Sequence, residues 1–227
     1  MKHQFSISAI VPIKAHSERI PKKNFRNFDT QPLHTYVIKS LQEAKSISRI
    51  YINTDSPEIV QLYREKEKVF VIDRPAKLCG DSVSMNKIIE HTLSIVKDEH
   101  VLQTHVTNPL IKPTTVELAV AQYRAALKQG YDTLFSVTKQ QKRFFDKDGK
   151  PINHDPNKLI NTQDLDPLFE ENSNIYIFSK SSFAKKNNRL GLKPKMFEME
   201  PLEAIDIDVL DDFVLAELIY KSNLTND

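Results

Sequence analysis

The chain has 227 residues, 40% of them hydrophobic, and a formal net charge of +2 at pH 7. That length suits one α/β domain with a sizeable core, and the near-neutral balance lacks the basic excess that marks nucleic-acid binders. No apolar run approaches the ~20 residues of a membrane span, and the single cysteine, Cys79, cannot close an intrachain disulfide, which suits a reducing compartment.

Residues 5–13 read as a first strand, broken at Pro12, with no signal-peptide cleavage pattern before it. A loop dense in cations follows: Lys14, Arg19, Lys22, Lys23 and Arg26, with Glu18 the one acid among them. Grouped like charges repel unless a polyanion neutralises them, and loops at strand ends are where α/β sheets bind ligands. A triphosphate fits such a loop; a solvated basic loop is the plainer alternative. Pro21 stiffens the segment by fixing its φ.

Apolar spacing then predicts a helix over 33–45, a strand over 49–53, a helix over 58–66 with Pro57 in its first turn, and a strand over 69–73. A helix over 84–97, a strand over 100–106, a helix over 114–129 and a strand over 132–138 continue the alternation. This order predicts a Rossmann-like three-layer sandwich with a mostly parallel sheet, formed by residues 1–227 as a single domain. The loops after the strands ending at 13, 73 and 106 should share one crevice. Over 139–171 the pattern lapses into a polar stretch with a hairpin-like turn at Asp148-Gly149, either a disordered insertion or an arm. Strands over 174–179 and 194–199 and a helix over 211–221 close the chain. Cys79 reads as an incidental thiol. The sequon Asn223-Leu224-Thr225 carries no weight without secretion, and a cytoplasmic protein is expected.

Near the end stands Ile205-Asp206-Ile207-Asp208. If extended, it sends both carboxylates to one face. Such a pair either shares a hard cation such as Mg²⁺ or serves the N-terminus of the following helix.

Four segments in order resemble the acylneuraminate cytidylyltransferase family, whose members activate sialic acids and the related sugar acid Kdo as CMP-sugars. They are Pro12, Lys14, Ser17, Arg19, Pro21, Lys23 and Asn24; the run from Arg74-Pro75 through Leu78 to Asp81; His105-Val106-Thr107-Asn108-Pro109-Leu110; and Ala204-Ile205-Asp206-Ile207-Asp208 with Asp212. The resemblance implies CTP and a nonulosonic sugar acid as substrates, Mg²⁺ on Asp206 and Asp208, and Lys23 and Asp208 as catalytic residues. It implies nucleotide contacts from Lys14, Ser17, Arg19, Lys23, Asn24, Arg74, Ser82, Ser84 and His105, and acceptor contacts from Thr107, Asn108, Asn172 and Asn174. It also implies a homodimer that uses the excursion at about 139–171, while the charge balance and the lack of a long apolar run lead to no nucleic-acid or membrane partner being expected. Thr107 stands where Kdo-using relatives carry a metal-binding Asp, which places the chain nearer the sialic-acid branch.

The departures are Glu18, where relatives carry Lys or Gly; His105, where they carry Gln; and residues 161–172, which hold no arginine although sialic-acid enzymes place arginines before Asn172. No general base is evident. Another nucleotide or sugar, or a catalytically silent nucleotide-binding module, are the competing readings. The retained Asp206/Asp208 pair argues against a silent module.

Overall fold

β1 (Ile7–Ile13) is buried at every residue except Pro12, and it lies inside a seven-stranded sheet. This computed structural model describes residues 5–80 and 82–222. Asp81 of the Arg74-Pro75 segment, residues 1–4 and the Asn223 sequon lie outside them. The other sheet strands are β4 (Ile47–Thr54), β5 (Val69–Asp73), β6 (His100–Gln103), β7 (Thr133–Gln140), β8 (Leu168–Ser179) and β9 (Pro194–Glu198), and a short separate ribbon pairs β2 (Asn27–Phe28) with β3 (Gln31–Pro32). The order across the sheet is β5-β4-β1-β6-β8-β7-β9, and only β8 runs against the rest.

Strand alternation builds the three layers. In β1, Ile7, Ala9, Val11 and Ile13 point into one core with residues of α1 (His34–Glu43), α2 (Pro57–Tyr63) and α4 (Pro113–Lys128). Ile10 points to the opposite core, with Ile89 and Leu93 of α3 (Met85–Leu93) and Phe183 of α5 (Lys180–Lys186). A third cluster packs α6 (Leu210–Ser222) against the β2–β3 ribbon through Phe28, Phe213, Ala216, Ile219 and Ile207. The expected sandwich and mostly parallel sheet are therefore present. Among the described residues no helix is long and apolar enough to cross a membrane.

Against the sequence reading, α3 ends at Leu93 rather than 97, β6 ends at Gln103 rather than 106, and the β2–β3 ribbon is new; three further departures have a local cause. β4 starts at Ile47, because Ile47 is a core residue on the near side of two polar positions. The helix α5 over 180–186 has no counterpart among the expected elements; its signal is Ser179, whose hydroxyl caps the Ser182 amide in a capping box. The lapse over 139–171 is shorter than expected. β7 runs to Gln140 and β8 starts at Leu168, the two pairing antiparallel past the core. Both faces of that extension meet solvent, so its residues carry no buried face and no apolar alternation. The remaining arm, 141–167, is ordered by its own bonds, including the turn at Asp146–Gly149 where Asp146 accepts from the amides of Asp148 and Lys150.

His34 supplies a pH test of this core. It is buried, its Nδ1 lies 2.8 Å from the Tyr63 hydroxyl, and burial lowers its pKa from 6.5 to about 4. Between those values the unfolded chain binds a proton at this position that the native state does not. Unfolding free energy is therefore expected to fall on acidification through this window, by up to about 1.4 kcal/mol per pH unit from this residue. Urea melts across the window should show a flatter acid limb for His34→Gln; an unchanged limb would remove His34 from the account.

Candidate active site

The strand order reverses between β1 and β6: the chain leaves β1 for β4 on one side and later returns to β6 on the other. Ligands bind at such switch points, beyond the carboxyl ends of the strands. A cleft of about 380 Å³ lies there, lined by the loops after β1, β5 and β6. Its walls include Lys14, Ser17, Arg19, Lys23 and Asn24 from the first loop, Arg74, Gly80, Val83 and Met85 from the second, and His105 and Thr107 from the third. A wider concavity of about 870 Å³ shares Arg74 but is walled mainly by α2 and the segments that flank it. It gathers none of the first-loop cations.

The first loop is shaped by hydrogen bonds that its own sequence supplies. Asn24 donates from Nδ2 to the Lys14 carbonyl at 3.0 Å, and the Ala15 amide donates to Asp55 at 2.8 Å. Arg74 lies beneath the loop. Its Nε donates to Asn53 Oδ1 at 2.8 Å and its Nη2 to the carbonyls of Asn53 and Ile13. Arg74 thus spends much of its fork joining the ends of β1 and β4, with its remaining nitrogen 4.0 Å from Asp55.

Lys23 is buried in a short 3₁₀ turn that follows Lys22 in a left-handed conformation. Its ammonium donates to the Ile207 carbonyl at 2.5 Å. Burial lowers its pKa, and the carboxylates of Asp206 and Asp208 oppose that shift. Arg19 pairs with Asp208 at 2.5 Å. The segment 205–208 belongs to no strand or helix; Ile205 and Ile207 pack on the third core cluster, while Asp206 and Asp208 share the surroundings of Lys23 and Arg19. Burial raises the Asp206 pKa, a hydrogen bond from Thr107 opposes this, Asp208 reinforces it, and Lys23 and Arg19 oppose it. Asp212 takes the helix role foreseen for it, accepting from the amides of Asp208 and Val209 at 2.9 and 2.8 Å.

The residues fit a hard cation. Asp206 Oδ1 is buried with no hydrogen-bond partner among the described residues, and Asp208 offers a second carboxylate. No cluster of three or more His, Cys, Asp or Glu side chains able to hold a metal occurs among the described residues. Two carboxylates completed by substrate phosphate oxygens is a usual Mg²⁺ arrangement.

Not every expected residue enters the cleft. Ser82 and Ser84 are exposed; the alternation turns Val83 and Met85 inward instead. Lys22 and Arg26 are exposed too, and Arg26 lies over the Phe213 ring, tying the loop to α6. Asn108 is fully buried with neither side-chain polar atom partnered among the described residues. Asn172 and Asn174 are buried in a bulge of β8 at the register shift opposite Ser136. Asn172 bonds Ser136 and Thr138, and Asn174 donates to the Ala204 carbonyl at 2.9 Å. These two asparagines hold β8 to β7 and to the segment that leads to Asp206.

Sequence reasoning missed Gln103, Tyr176 and Arg189, which form a network behind His105. It also missed Glu203, buried, which accepts from the Lys112 amide and the Thr115 hydroxyl at the start of α4. Gln103 and His105 sit two apart at a strand end, which is a readable sign; Arg189 sits in a loop with none.

The family described as cytidylyltransferase matches residues 8–223. An N-acylneuraminate cytidylyltransferase A from Danio rerio is 27% identical over 93% of this chain and 50% of its own length. A pseudaminic acid cytidylyltransferase from Campylobacter jejuni is 21% identical over 94% of this chain and 96% of its own. The chain spans about half the length of the first curated relatives it matches, fish and streptococcal alike. Among solved structures, a CMP:2-keto-3-deoxy-manno-octonic acid synthetase complexed with CTP superposes with a TM-score of 0.70 at 13% identity, covering 96% of this chain and 99% of that one. A 4-diphosphocytidyl-2C-methyl-D-erythritol synthase from Anaerococcus prevotii gives 0.67 at 14%, covering 95% and 96%.

Proposed function

The chain belongs to the cytidylyltransferase family, and from that premise we propose that it forms a CMP-sugar from CTP and a sialic-acid-like, nonulosonic sugar acid. The observation that carries this reading is the meeting of Lys14, Arg19 and Lys23 with the Asp206/Asp208 pair at the switch point. The anomeric hydroxyl of the sugar acid attacks the α-phosphorus and releases its proton to water. A new O–P bond forms, the bond from the α-phosphorus to the bridging oxygen breaks, and pyrophosphate leaves with the electron pair. Lys14, Arg19 and Lys23 are the cations that hold the β- and γ-phosphates as that charge develops. Asp206 and Asp208 are the residues that would hold Mg²⁺, which when bound neutralises phosphate charge. The homologues' names favour a nonulosonic acid over Kdo, and Thr107 in place of an Asp agrees with them.

The arm at 141–167 exposes Phe145, Ile152 and Leu159, the last 98% exposed. A second copy that covers this arm in a homodimer accounts for such apolar exposure, and the single Cys79 suits a cytoplasmic setting. The deciding experiment incubates protein, CTP and Mg²⁺ with N-acetylneuraminate, legionaminate-type, pseudaminate-type acids and Kdo, and measures pyrophosphate. Release with one nonulosonic acid is expected; release only with Kdo, or with none despite bound CTP, would overturn the proposal.

A further inference from the structure

Behind the cleft, Arg189, Gln103 and His105 form a chain of contacts. Arg189 Nη1 donates to Gln103 Oε1 at 3.2 Å, and Gln103 Nε2 lies 2.8 Å from His105 Nε2. An arginine has only donors, so it fixes which end of the Gln103 amide faces it. The carbonyl oxygen must point at Arg189, and the amide nitrogen must therefore point at His105. That nitrogen also only donates, so His105 Nε2 accepts. Burial lowers the His105 pKa to about 4, so the ring is neutral near pH 7. A neutral imidazole that accepts at Nε2 carries its proton on Nδ1.

Arg189 itself is held firmly. It stacks over Tyr176 with its guanidinium carbon 3.6 Å from the ring centre, donates to the Tyr176 hydroxyl at 2.9 Å and lies 3.9 Å from Glu171. The loop carrying it is pinned at Asp132, which accepts from the amides of Leu192 and Lys193. A Cβ at Gly191 would stand 2.4 Å from Asp132 Oδ1, so a larger residue there would displace the Asp132 carboxylate that holds the loop.

We propose that Arg189 is a positioning residue that acts through Gln103 to lock His105 as an Nδ1–H donor facing the cleft, where it reads an acceptor atom of the bound ligand. His105 lines the cleft, its Nε2 is taken by Gln103, and no described residue bonds its Nδ1. The ligand atom is a carbonyl or carboxylate oxygen or a ring nitrogen. Cytosine and the sugar acid both offer one, and that part of the proposal rests on the cytidylyltransferase reading.

The test is nitrogen-15 NMR of histidine-labelled protein at mildly alkaline pH, with KM measured for each substrate. Wild-type His105 should be protonated at Nδ1. Gln103→Glu, nearly isosteric, presents only acceptors beside Arg189 and should move the proton to Nε2. Arg189→Met frees the amide to turn and should give a mixture, whereas Arg189→Lys, still a donor, should keep the wild-type tautomer. KM should rise roughly tenfold in Gln103→Glu for the substrate His105 reads, the size of one hydrogen bond, with kcat moving less. A rise for CTP assigns the base, and a rise for the acid assigns the acceptor. Wild-type protonation at Nε2, or unchanged tautomers in Gln103→Glu and Arg189→Met, would overturn the proposal, and so would a swapped tautomer that leaves both KM values unmoved. The NMR readout needs no turnover, so its failure is separate from failure of the catalytic reading.

Discussion

Asp208→Asn is expected to cut pyrophosphate release by on the order of 10³-fold while leaving CTP affinity within about tenfold of wild type. The substitution keeps the side chain's shape and removes its charge. The local backbone does not depend on that charge, because the Asp208 amide is held by Asp212 and the segment is anchored by Ile207 in the third core cluster. The partner that loses most is Arg19, whose pair with Asp208 is exposed on both sides. Exposed pairs of this kind are worth about 1 kcal/mol or less, so stability should barely change. Arg19 released from Asp208 remains available to phosphate, which is why binding survives. Calorimetric titration with CTP and single-turnover product formation read the two effects separately. Turnover near the wild-type level would remove Asp208 from the site's chemistry. Equal losses in binding and turnover would make it a ground-state contact only.

Much of this site could be read before the fold. The cation loop follows a buried strand, and the alternation of Ile205 and Ile207 with Asp206 and Asp208 already separates an apolar side from an acidic one. Both inferences need only a local period and a sheet. Legibility ended where partners are distant in sequence. Nothing near residue 74 says that Arg74 will be spent on the carbonyls of Ile13 and Asn53, which come alongside only once β1 and β4 pair in register. Asn172 and Asn174 sat in a recognisable tract, yet their bonds to Ser136 and Ala204 depend on a β8 bulge that no periodicity encodes. Ser82 and Ser84 differ in that the signal is local: the alternation turns Val83 and Met85 into the cleft and leaves the two serines exposed. The β7–β8 extension was missed because hydrophobic pattern reports burial, and that ribbon is solvated on both faces.

Lys23→Met should separate charge from architecture at the same site, with opposite signs in two measurements. Lys23 is buried between the first-loop turn and the Ile207 carbonyl, and it faces both carboxylates. Methionine matches its length and apolar stem but carries no charge. On the proposed reading the phosphates lose one of the cations that hold the developing pyrophosphate, so turnover should fall by on the order of 10²- to 10³-fold. The carboxylates lose a competing cation, so a divalent ion should bind the nucleotide-free variant more tightly than it binds wild type. A Mn²⁺ titration followed by paramagnetic resonance measures that affinity without any turnover. If Lys23 served mainly to hold the 205–208 segment through the Ile207 carbonyl, its loss would loosen the pair, and Mn²⁺ affinity and turnover would fall together. A rise in metal affinity alongside the fall in turnover is the outcome that electrostatics requires, because one ammonium cannot both neutralise the aspartates and leave their full attraction to a metal intact.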